Sequence, residues 1–293
     1  MSDVALQKRV SFLSKEDTVC PVCKFTHNRE ELLSGGGRLI AGQLTPELRR
    51  LYQKSHKYGL IYPLAYVMVV CPKCLYSAYN KDFLKLNTDE IEMIRDTTDH
   101  RIKLNEMLFG QLDFRQERNL VHGAASMIHA VDCYHLRQST IAPTMKKAVS
   151  AIRAAWLLGD IFELAPDRPF DKVKDFYYME AVKNYQKLLG LMATGKEPVE
   201  AEAYILGPDL DHNWVFDGVI YLNAYLTKKY IDQLSDNLPS KIKLLEEAKR
   251  YLSKLYGSGK SSKNKPSVIV DMAKDLYDGI GSMLTRLQSQ LSG

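Results

Sequence analysis

The sequence has no long apolar run. Its most hydrophobic stretch, LIYPLAYVMVV at Leu60–Val70, carries Tyr62, Pro63 and Tyr66 and falls well short of the roughly 20 residues that a membrane-spanning helix needs. The opening MSDVALQKRVSFLSKEDTV lacks the apolar centre of a signal peptide, so a cytoplasmic protein without membrane insertion is expected. Charge of one sign is also scarce: 40 Lys and Arg stand against 35 Asp and Glu in 293 residues. Residues 1–100 hold 14 basic against 12 acidic side chains, and residues 251–293 hold 6 against 3. Without a basic face, a dedicated nucleic-acid binder is disfavoured. Enzyme signatures are missing too. No nucleophile motif stands out, and no carboxylate pair sits between glycines at a strand end, so a non-enzymatic role is expected.

Cysteine is sparse, at 5 residues, which with reduced cytosolic thiols excludes a disulfide framework. Four of the five are arranged in a pattern. Val-Cys-Pro-x-Cys occurs at Val19–Cys23 and again at Val70–Cys74, with 47 residues between Cys23 and Cys71. Two thiolates spaced by two residues turn toward one point, and two such units supply a tetrahedral four-sulfur site. A redox dithiol requires a βαβ setting, which the flanking SKEDTV does not provide, and it leaves the second copy unexplained. Lengthening the gap from about 17 to about 47 residues adds roughly 0.9 kcal/mol of closure entropy, against roughly 10–16 kcal/mol for structural zinc binding. Cys20, Cys23, Cys71 and Cys74 are therefore the expected ligands of one structural Zn²⁺. Iron also binds such sites, but iron knuckles usually carry glycine where Lys24 and Leu75 stand. Within the gap, TPELRRLYQKSHKYG reads as a short helix capped by Thr45 with Pro46 at its first position. YPLAYVMVV reads as a strand leading to Cys71.

The remainder reads as seven helices: 87–108 with Thr88 as cap, 116–140, 142–165, 171–195, 209–234, 239–257 and 266–291. In the second, Leu120, Ala124, Met127, Val131 and Tyr134 form one apolar stripe. Glu180–Gly190 and Glu247–Gly257 share five identities over eleven positions, 67 residues apart. Each follows a tryptophan-bearing helix, at Trp156 and Trp214. Small residues such as Ala181 and Ala248, and the AAWLLGD segment around Trp156, resemble tetratricopeptide helical hairpins, although the 34-residue period is not kept.

The order of these parts, a paired Cys-Pro-x-Cys module, a tyrosine-rich IYPLAYVMVVCPKCLYSAY segment and then tetratricopeptide-like helices, resembles a bacterial family catalogued as a domain of unknown function. The likeness runs from about Val19 to about Leu284. It implies a mainly α fold, in which an N-terminal zinc-ribbon-like α+β module is followed by a tetratricopeptide-like helical array, and it carries over no catalytic residue. The expected organisation is a head at 1–87, a helical region at 88–256, a basic linker at 257–266 and a C-terminal helix at 267–293. The function implied is a scaffold or adaptor that binds other proteins through its helices within a larger bacterial assembly. Some spirochaete flagellar motors recruit tetratricopeptide proteins, which makes that motor one such assembly. The alternative is a nucleic-acid-associated regulator that reads through its zinc ribbon.

Other motifs carry less. GSGKSS at Gly257–Ser262 lacks the first glycine of a phosphate loop, having Lys254 in its place. SGGGRLIAG at Ser34–Gly42 reads as a flexible turn. His129 and Cys133 share a helix face but have no further ligand nearby, so a core cysteine beside a partly exposed histidine is expected, and His122 lies on a neighbouring stripe. Asp209 and Asp211, with His212, precede Trp214 and read as helix-capping residues. Tyr185, Trp214, Tyr221 and Tyr225 are the candidate contacts of a concave helical face, although filling the seams between helices is the more ordinary role for each.

Overall fold

A computed structural model describes residues 9–203, 206–210, 214–256 and 266–292. The chain folds as two compact units, one comprising residues to Gln43 and Arg50–Ala181, the other Leu44–Arg49 and Val182 onward. The chain is mainly helical, as expected. The division between units falls elsewhere than residue 88, because the expected head shares one unit with the helices that follow it.

In the first unit, β1 (Ser11–Val19) pairs antiparallel with β2 (Thr26–Leu32), β3 (Ile40–Leu44) pairs with β4 (Arg50–Gln53), and β5 (Met68–Val70) pairs antiparallel with β6 (Ser77–Tyr79). SKEDTV is thus the end of a strand. It shows no apolar alternation because almost all of β1 faces solvent, and its pairing with β2 holds it. Only the last residues of YPLAYVMVV form a strand. Pro63 instead starts a single 3₁₀ turn, Pro63–Tyr66, as its fixed φ favours.

The expected helix after Thr45 is absent, and that segment is the tip of the β3–β4 hairpin, counted with the second unit. The same residue types that cap helices also close turns. Thr45 Oγ1 accepts from the backbone N–H groups of Glu47 and Arg49, at 3.3 and 3.2 Å. Leu48 is fully buried in a left-handed conformation, φ 58.

Five helices lie wholly within the first unit: α1 (Asn80–Phe83), α2 (Thr88–Asp96), α3 (Thr98–Phe109), α4 (Leu120–His135) and α5 (Pro143–Leu164). The expected helix at 87–108 is broken at Thr97 into α2 and α3. Its cap is Asn87, not Thr88, in a reciprocal pairing with Glu90 at 2.9 and 3.0 Å. The predicted stripe of α4 is buried throughout. Most of the rest of α4 is buried too, with Val121 and Asp132 half-buried and His135 exposed, because the helix packs against α5, β5, β6 and the 3₁₀ turn. Gly123 permits that approach, since a Cβ there would lie 3.1 Å from both Ala65 Cα and Leu157 Cδ1.

Polar side chains staple these elements together. The Lys146 ammonium on α5 lies 2.6 Å from the Asp82 carboxylate on α1, with both side chains buried. Tyr134 donates to Asp82 at 2.7 Å and accepts from the Tyr79 backbone N–H at 3.0 Å. Arg153 donates to the Tyr79 hydroxyl at 3.1 Å.

The second unit begins within α6 (Phe170–Thr194) and contains α7 (Val199–Ala203), α8 (Val215–Lys229), α9 (Ile231–Leu234), α10 (Leu238–Tyr256) and α11 (Ser267–Ser292). Helix α10 packs against α8 and α11, and α8 also meets α11. The hairpin tip joins this group: Tyr221 donates to Pro46 O at 2.9 Å, and Lys229 pairs with Glu47 at 2.6 Å. The helix expected from 209 starts only at Val215. The GSGKSS motif and most of the basic linker lie outside the described residues, as do Asp211 and His212.

Removing one partner of a buried ion pair strands the other charge. Lys146→Met, which leaves Asp82 with Tyr134 as its remaining side-chain partner, should destabilise the first unit by about 3–5 kcal/mol, measured by amide hydrogen exchange in α4 and α5.

Candidate metal centre

Each Cys-Pro-x-Cys unit is the turn of a hairpin, the first between β1 and β2, the second between β5 and β6. The two turns are closed by the same backbone bonds. Lys24 N–H donates to Cys20 O and Cys20 N–H to Phe25 O, both at 2.9 Å. Leu75 N–H donates to Cys71 O and Cys71 N–H to Tyr76 O, again both at 2.9 Å. The sequence duplication is a structural one. Lys24 and Leu75 are left-handed, with φ 61 and 56, so the knuckle geometry is reached without glycine. The missing glycines therefore do not separate zinc from iron. They signal instead that backbone strain is accepted at both turns, at a typical cost of about 1–3 kcal/mol each.

The four sulfurs converge. Cys20 and Cys74 Sγ lie 3.7 Å apart, Cys23 and Cys71 Sγ lie 3.5 Å apart, and all four are within 4.8 Å of one another. A tetrahedron with Zn–S bonds of about 2.3 Å has sulfur–sulfur edges of about 3.8 Å. The spacing fits, and the four cysteines could hold one metal ion. Cys20, Cys71 and Cys74 are buried, whereas Cys23 is half-buried. Hydrogen bonds from Cys71 and then Cys74, outweighing burial, push the Cys20 thiol down to about 4, and backbone N–H groups of the turn add to this. The bonds with Cys20 and Cys71, with burial, push the Cys74 thiol up. One thiol of the cluster is thus pushed down and another up, an opposition that a bound cation would relieve.

Helices α2 and α3 grip the two knuckles by arginines that no local spacing marks in the sequence. Arg95 Nε donates to Val22 O at 3.3 Å. Arg101, fully buried, donates from Nε to Cys74 O at 3.3 Å and from its other nitrogens to Ile94 O, Thr97 Oγ1 and Thr98 Oγ1. His27, also missed, is buried with its ring stacked on Phe25 and edge-on to Phe83. Burial pushes its pKa down, with Cys71 opposing.

Other sequence candidates lie apart from the sulfurs. His129 is fully buried, not partly exposed, with Nε2 3.1 Å from Asn105 Oδ1. Burial, with Arg101 assisting, pushes it down to about 3. Cys133 is buried on the same helix, and burial pushes its thiol up to about 11. His122 bonds the helix cap Asn119 at 2.9 Å. Asp209 does not cap α8, and accepts instead from the Leu210 backbone at 2.7 Å. Tyr185, Trp214 and Tyr221 are buried and fill seams within the second unit, while Tyr225 is half-buried and stacked on Tyr221. Three of the four expected contact residues are therefore not presented to a partner.

The matched family is described as an uncharacterized protein conserved in bacteria, DUF2225, and the match covers residues 13–280. The chain belongs to this family. A Borreliella burgdorferi protein described as uncharacterized is 37% identical over 281 residues, covering 96% of this chain and 100% of that one. No solved structure matches the chain significantly. For this family member, no helix among the described residues is long and apolar enough to cross a membrane.

Two outcomes follow from this geometry. Cys71→Ser should expose amides of β5, β6, α4 and α5 to hydrogen exchange while α8, α10 and α11 keep their protection, because the altered cysteine sits in the first unit. The second concerns acid. Between about pH 6.5 and 3 the unfolded chain protonates His129 and the folded chain does not. Its contribution to stability is full above pH 6.5 and is lost as pH falls. Stability measured by denaturant across that window should fall less steeply for His129→Gln, the difference approaching about 1.4 kcal/mol per pH unit.

Proposed function

We propose that this protein is a non-enzymatic adaptor whose cysteine module is held by one structural Zn²⁺ and whose helices bind other proteins within a larger bacterial assembly. The observation that carries this reading is the mutual closeness of Cys20, Cys23, Cys71 and Cys74. Four sulfurs fill every position of a tetrahedral ion and leave none for water or substrate. A metal so enclosed contributes folding energy. Zn²⁺ suits the site because it accepts a closed thiolate tetrahedron without redox chemistry.

The adaptor half is supported by large apolar side chains left in solvent on three helices of the first unit: Met107 at 70%, Leu164 at 75% and Phe176 at 58% exposure. Tetratricopeptide-like stacking belongs to the same proposal. It is supported by the matched segments on α6 and α10 and by the packing of α10 against α8 and α11. A place in the flagellar motor rests on the likeness of architecture to tetratricopeptide proteins recruited there.

Elemental analysis of the full chain purified without added metal should give about one zinc per chain, and affinity capture from the native host should recover a protein partner. Because contacts to phosphates weaken steeply with salt, the capture should persist at physiological salt. Metal-free protein with unchanged folding would overturn the zinc reading. Micromolar binding to duplex or single-stranded DNA at physiological salt, with no protein captured, would replace the adaptor by the nucleic-acid regulator.

A further inference from the structure

Arg101 raises a question of charge. Its side chain is fully buried, and a guanidinium does not shed its proton in a protein. All of its hydrogen bonds go to uncharged oxygens: Cys74 O at 3.3 Å, Ile94 O at 2.8 Å, Thr97 Oγ1 at 2.6 Å and Thr98 Oγ1 at 3.1 Å. No carboxylate among the described residues forms an ion pair with it. By contrast, buried Arg137 is paired with Glu90 at 3.0 Å and buried Lys146 with Asp82 at 2.6 Å. Asp132 lies within its field but makes no ion pair with it. A buried cation without a counter-charge is expensive.

The group to which Arg101 is bonded answers the question. Cys74 is one of the four clustered cysteines, and four thiolates around a divalent ion retain two negative charges. On the other knuckle, exposed Arg95 donates to Val22 O at 3.3 Å, between Cys20 and Cys23. One helix pair thus brings a cation to the backbone of each knuckle. Outer partners of this kind tune a metal's charge preference as well as its geometry.

We infer that Arg101, with Arg95 assisting at the first knuckle, supplies the positive charge that balances the metal–thiolate centre. The inference rests on the metal reading above. Arg101 is a positioning and charge-balancing residue and touches no metal. Its consequence is a preference for the lower oxidation state of a redox-active ion bound there.

The test loads the full chain with ferrous iron in place of zinc and measures the ferric/ferrous potential. Arg101→Lys keeps the charge, whereas Arg101→Gln keeps an N–H donor and drops it. The lysine variant should stay close to the parent. The glutamine variant should lose about tenfold in ferrous preference, a fall of about 59 mV for one electron. A glutamine variant at the parent potential, or lysine and glutamine variants shifted alike, would mean that Arg101 acts only by packing and would overturn the inference. Should Arg101→Gln fail to fold, Arg95→Gln gives the reading from an exposed position: a smaller fall supports the inference and an unchanged potential overturns it. Failure of the metal reading has its own signature, since the parent would then bind neither zinc nor iron and show no thiolate-to-iron charge-transfer absorption.

Discussion

Two hairpin turns, far apart in the chain, must deliver four sulfurs to one point, and the first unit is organised around that requirement. Each turn folds locally, because Cys-Pro-x-Cys followed by a left-handed residue closes on its own backbone bonds. Neither turn alone makes a site. Meeting across the intervening residues brings four thiols within 4.8 Å, where burial and mutual repulsion oppose losing all four protons. A cation bound there would remove that opposition, and its binding would then be coupled to folding of this unit.

Several elements hold the second knuckle in place. Its strands β5 and β6 lie against α4, and α4 approaches closely because Gly123 offers no Cβ. Behind them the buried pair Asp82–Lys146, with Tyr134 and Tyr79, ties α1, α4, α5 and β6 into a single polar network. Such a network does not add much net stability over an apolar core. It imposes geometry, since every donor must find its partner at once. Arg95 and Arg101 extend the same logic to the knuckles, bonding carbonyls that a less specific packing would leave to solvent.

The second unit is built on different physics. Helices α8, α10 and α11 pack through apolar faces, and the tip of the β3–β4 hairpin is drawn into them by Leu48, Tyr221 and the Lys229–Glu47 pair. Three of its aromatic residues serve that packing: Tyr185, Trp214 and Tyr221 are interior residues. Aromatic content therefore reports the core here and does not by itself mark a binding face.

The sequence by itself determined the four clustered cysteines and the existence of the long helices, because both depend on local signals: a two-residue spacing that recurs, and apolar periodicity bounded by caps. Tertiary structure decided what those signals leave ambiguous. Thr45-Pro46-Glu47 suits a helix start and a hairpin turn equally, and burial of Leu48 selected the turn. The charged β1 has no pattern of its own and exists through pairing with β2. The cations beside the sulfurs come from α2 and α3, elements that no spacing connects to the cysteines, since packing of distant segments is a property of the whole unit and not of any one stretch of chain.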